Sequence, residues 1–103
     1  MKISKTDWKI FQESLPELRE RYLAEQNKTF IAILNDDKRT PTEQFWDTYE
    51  AMNKQGKILR DCLDGYSKSK MGMHILLMHR YGMMKNEDLE AYSEELRNWV
   101  LQE

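Results

Sequence analysis

Cysteine is almost missing from this 103-residue chain. Cys62 stands alone, so no internal disulfide can form, and a reducing cytoplasm is the expected setting. Glycine and proline are also scarce, at 4 and 2 residues, which argues against a turn-rich β sandwich or a linker-rich chain. No apolar run approaches the ~20 residues that a membrane-spanning helix needs, and Met1 to Lys9 lacks the apolar centre of a secretion signal. Neither charge sign dominates: 16 basic residues face 18 acidic ones, for a net charge of -2, with no global pull toward nucleic acid or an anionic membrane.

The usual marks of catalysis are missing too. His74 and His79 are the two histidines. Their spacing turns them about 140° apart on a helix, whereas helical zinc pairs sit one turn apart on one face. Neither has a glutamate three residues before it, as carboxylate-bridged metal bundles require. Asp61 and Asp64 could form an acid–base pair, but Lys57 and Arg60 each stand four residues before one of them, the spacing of exposed ion pairs. Ser67-Lys68-Ser69-Lys70 spells the Ser-x-x-Lys of penicillin-recognising enzymes, yet the elaborate domain behind that motif cannot fit in this length. A basic loop whose serine caps the next helix accounts for the same residues. Cys62 has no nearby histidine and reads as a buried thiol. We therefore expect no catalytic residue, no cofactor and no bound metal.

What the chain does contain is helical punctuation. At 40% apolar and 33% charged it has the make-up of one globular domain, spanning residues 1–103. Ser14-Leu15-Pro16-Glu17 and Thr40-Pro41-Thr42-Glu43 share a hydroxyl cap, a proline in the first turn and a glutamate at N3, the pattern of a capping box. Gly65 and Gly82 are placed to stop helices in the left-handed conformation, and Asn86 precedes two acids as a cap. Five helical segments follow. The first runs from Asp7 to Glu13. The second starts near Leu15, with its continuity through Asn27 open. The third spans Pro41 to Asp64, with Phe45, Tyr49, Met52, Gly56, Leu59 and Leu63 as its apolar stripe. The fourth, about Ser69 to Tyr81, is apolar nearly all round, and the fifth runs from Glu87 to Leu101. The expected architecture is an all-α compact bundle of four to five helices with short connections.

Two features point toward binding. The methionine-rich fourth segment, continued by Met83 and Met84, must be surrounded, either by its own domain or by a second copy. Trp46 lies beside the charged arc of the third segment, where an amphipathic ring can anchor a partner. Gly56 within the apolar stripe invites close approach by another backbone. The expectation is a cytoplasmic, non-enzymatic protein–protein interaction module, a homodimer or a binder of another protein, with Trp46, Met71, Met78, Met83 and Met84 as anchors. The alternative is a small nucleic-acid-associated regulator. Residues 53–85 carry a net charge of +5 and residues 86–103 a net of -5. Lys54, Lys57, Arg60, Lys68 and Lys70 would be its phosphate contacts.

Overall fold

A computed structural model describes residues 2–102, and those residues form five helices with no strand among them. They are α1 (Lys5–Leu34), α2 (Pro41–Leu63), α3 (Met71–Arg80), α4 (Asn86–Leu89) and α5 (Glu94–Gln102). The all-α bundle expected from composition and periodicity is the observed architecture.

The boundaries show which local signals prevailed. At α2, Thr40 Oγ1 accepts from the Glu43 amide at 3.2 Å, while the Glu43 carboxylate accepts from the Thr40 amide at 2.9 Å. That is the complete capping box, with Pro41 just inside it. Gly65 (φ 67°) and Gly82 (φ 80°) take the left-handed turns after α2 and α3.

The first two expected segments are one helix. α1 runs unbroken through Ser14, Pro16 and Asn27. Ser14 gives its hydroxyl hydrogen to the Phe11 carbonyl at 2.9 Å instead of capping a new start. Pro16 removes one helical donor, but it and Gln12, whose carbonyl loses that donor, lie on the exposed side where water can replace it. Phe11, Leu15 and Leu18 are all buried on the opposite side, and that packing carries the helix across the proline.

The last expected helix is instead two. The chain turns through Ala91 and Tyr92, because Ser93 is tied elsewhere: its amide and hydroxyl donate to the buried Asp7 carboxylate at 2.9 and 2.6 Å. The same hydroxyl accepts from the Leu96 amide at 3.3 Å and so starts α5. Ser67 and Ser69 hydrogen-bond to each other, and no side chain caps α3.

The core lies at one end of the molecule. Phe11, Leu15, Leu18 and Tyr22 of α1 meet Ile58 and Cys62 of α2, with Met71, Ile75 and Met78 of α3 between them. Met83, Met84, Leu89, Tyr92, Leu96 and Val100 close the other side. The remaining parts of α1 and α2 project from this core as a two-helix hairpin closed by residues 35–40. Dimensions of 52 × 24 × 24 Å record that projection.

Candidate interaction face

The projecting hairpin has a well-defined seam. The Tyr22 hydroxyl donates to Gln55 Oε1, which fixes the antiparallel register. Carrying that register toward the tip sets Gln26 beside Ala51, Phe30 beside Thr48 and Ile33 beside Gln44. Each of these six is buried or half-buried, unlike most of its neighbours. On α2 the seam is thus Gln44, Thr48, Ala51, Gln55, Ile58 and Cys62, spaced by four and three. It is a polar seam toward the tip, and the Thr48 hydroxyl lies in it without a hydrogen-bond partner.

One residue further along each helix turns the side chain by about 100°. In an antiparallel pair, that rotation carries both helices' residues to the same side of the plane through their axes. On this side lie Asn27, Ile31 and Leu34 of α1 with Phe45, Tyr49, Met52 and Gly56 of α2. None carries a charge. One residue before the seam, on the opposite side, stand Arg21, Glu25, Glu43, Asp47, Glu50, Lys54 and Lys57. Toward its tip the hairpin is therefore neutral and apolar on one side and charged on the other, and the Arg60 guanidinium lies beside Gly56 at the core end of the neutral side.

The neutral side is open to solvent. Phe45, Tyr49 and Met52 are 59%, 55% and 49% exposed, and Ile31 and Leu34 are 57% and 49% exposed. Trp46 borders them at 54% exposure. Its ring meets Phe45 edge-on at 5.0 Å and Tyr49 edge-on at 5.7 Å, so the three aromatics form one cluster. Half-exposed side chains of this size offer roughly 100 Å² each, ~600 Å² for the six, at the upper end of what single-chain proteins leave open.

The anchors expected from sequence are redistributed. Trp46 is at the surface, as an anchor must be. Met71, Met78, Met83 and Met84 are at most 1% exposed and fill the chain's own core, so they present nothing to a partner. Phe45, Tyr49 and Met52, expected to face inward, instead form the open face with Ile31 and Leu34, which sequence reasoning did not single out. Their signal was present as a second stripe one residue earlier on α2, but its glutamines and threonine make it the less apolar of the two. Lys54, Lys57, Arg60, Lys68 and Lys70 are all exposed, on two sides of α2 and on the loop after it, with Asp61 and Asp64 among them. The pairs expected between Lys57 and Asp61 and between Arg60 and Asp64 are not among the ion pairs of the described residues.

Both histidines are engaged in the fold. His74 Nδ1 lies 2.7 Å from the Cys62 carbonyl, and His79 Nε2 lies 2.7 Å from Asn86 Oδ1. No group of three His, Cys, Asp or Glu side chains able to hold a metal occurs among the described residues. Burial, with Asp61 nearby, pushes the Cys62 thiol up to about 11. A cleft of about 250 Å³ is lined by Ile10, Ser14, Arg21, Asp88 and Tyr92, among others. Arg21 donates there to both Asp88 oxygens, at 3.0 and 2.5 Å, and to the Met83 carbonyl at 3.1 Å, so its guanidinium is already occupied. No described helix is long and apolar enough to cross a membrane.

Set against protein-family models, curated proteins and solved structures, the chain matches none of them.

Proposed function

We propose that this chain is a non-enzymatic interaction module that docks a protein partner on the neutral face of its α1–α2 hairpin. One observation carries the reading: six large apolar side chains stand half-exposed together on a face without charge, in a chain that is one-third charged. A surface of that kind gains by being covered, through release of water from apolar area, and its clustered aromatics are the residue types that anchor interfaces. The charged opposite side contributes to encounter and orientation more than to affinity. Phosphate binding has less support, because the basic side chains share their surfaces with acids and do not form one stripe.

The test is partner capture from a lysate by the wild-type chain, by Phe45→Glu/Tyr49→Glu, and by Glu50→Lys on the charged side. Helical content is checked for each by circular dichroism. A protein retained by wild type and Glu50→Lys, through nuclease and moderate salt, and lost with the double variant is the expected result. Undiminished capture by the folded double variant would sink the reading.

A further inference from the structure

Resting on that docking reading, we infer that the occupant of the neutral face is a second copy of this chain, paired so that each hairpin tip covers the middle of the other. The exposed stripe of α2 is its own antiparallel complement. Phe45, Tyr49, Met52 and Gly56 are spaced four, three and four, an order that reads identically in both directions. Turning a second α2 end for end about the point between Glu50 and Ala51 sets Phe45 against the partner's Gly56. The same turn sets Tyr49 against the partner's Met52. Bulk then meets space where Phe45 faces Gly56, and the ring of Tyr49 lies against the flexible side chain of Met52.

On the other helix one level is matched in the same way. Turning α1 about the point between Asn27 and Lys28 brings Ile31 over the partner's Ala24. The Tyr22–Gln55 register places those two turning points level across the hairpin, so a single two-fold axis serves both helices.

Gly56 supplies an independent reason. A Cβ added there would meet only a guanidinium nitrogen of Arg60, at the ordinary contact distance of 3.6 Å. Nothing inside the chain demands glycine at this point, although glycine costs up to ~1 kcal/mol relative to alanine within a helix. A partner's Phe45 ring seated on Gly56 does demand it. The uncharged side chains of Phe45, Tyr49 and Met52 bring no like charges together across a two-fold axis, and the Arg60 guanidinium beside Gly56 turns outward to admit the partner's ring. The ~600 Å² of the six side chains, with the backbone and rim around them, approaches the ~800 Å² per partner of a standard interface.

Sedimentation of the full chain at tens of micromolar tests the stoichiometry, and cysteine cross-linking tests the arrangement. A dimer is expected, with Phe45→Glu shifting it to monomer while leaving helical content unchanged. In an equimolar mixture of Phe45→Cys and Gly56→Cys chains, a short thiol cross-linker should join unlike chains and leave like chains unjoined. Buried Cys62 stays out of this reaction. A chain that remains monomeric overturns the inference. If partner capture is still lost in Phe45→Glu/Tyr49→Glu, the docking reading survives that failure. A dimer in which Phe45→Cys chains join one another has its tips side by side, which overturns the arrangement proposed here.

Discussion

Asp88 holds three donors at once. Its carboxylate accepts two hydrogen bonds from the Arg21 guanidinium and, at 2.7 Å, one from the Lys85 amide at the start of α4. The Arg21 hydrogen bonds hold the Asp88 carboxyl below the usual aspartate range, with the Lys85 amide adding to the effect. A carboxylate whose folded value is depressed contributes stability that is fully present above its unfolded value, near 3.9. That stability fades as pH falls from there through the lower folded value. Urea titrations at pH 6 and pH 3 should therefore show a larger loss of stability in wild type than in Asp88→Asn. At pH 6 the variant itself should be less stable by about 1–2 kcal/mol. Equal losses in the two proteins would show that the contact contributes nothing. Asp7 plays a comparable part near the start of α1, where its two bonds from Ser93 hold the chain just after the turn through Ala91 and Tyr92. Neither partnership was legible in the sequence, because each joins residues more than sixty positions apart.

For elements, legibility divides according to how local the deciding forces are. The Thr40 capping box, the stops at Gly65 and Gly82 and the span of α2 could be read directly, since each rests on residues within one or two turns. Ser14-Leu15-Pro16-Glu17 carries the same local pattern as Thr40-Pro41-Thr42-Glu43, yet it does not begin a helix. The difference lies in the burial of Phe11, Leu15 and Leu18 on one continuous face, which becomes known only when the core is known. Pro16 is thus tolerated within α1 and not required by it. Pro16→Ala restores a helical donor on an exposed face and should raise stability by about 2 kcal/mol, read as a higher melting temperature. A lower melting temperature would mean that the ring fixes a bend the core needs. The face of α2 that packs on α1 escaped sequence reading for a related reason. Two stripes one residue apart compete, and the more apolar one is only partly buried, with Leu59 and Leu63 against the core and Phe45, Tyr49 and Met52 in water.

The whole molecule combines a compact end with a slender one. Its radius of gyration is 16.4 Å, against about 13 Å for a compact domain of this length, and the excess comes from the hairpin. Toward the tip the two helices hold each other through Phe30 and Ile33 against Gln44, Thr48 and Ala51, outside the continuous core. Local opening should follow that gradient. Hydrogen exchange on the Phe45→Glu variant, chosen so that the proposed pairing of copies does not enter, should show amides of residues 28–34 and 44–52 exchanging well before those of 15–22 and 58–62. Uniform protection along α1 and α2 would show that the hairpin opens only with the core. The proposed docking face shares this fate, since sequence alone singled out Trp46 but gave no means of seeing that the core ends near Tyr22 and Gln55.

At the compact end, Cys62 is fully enclosed where α1, α2 and α3 meet, and its proton is held more tightly than in a free thiol. Thiolate is the form that exchanges disulfides or takes up oxidants, and here it is both scarce and out of reach. The lone cysteine therefore does not tie this fold to a reducing compartment. As long as the core stays closed, its covalent state is the same in oxidising and reducing surroundings.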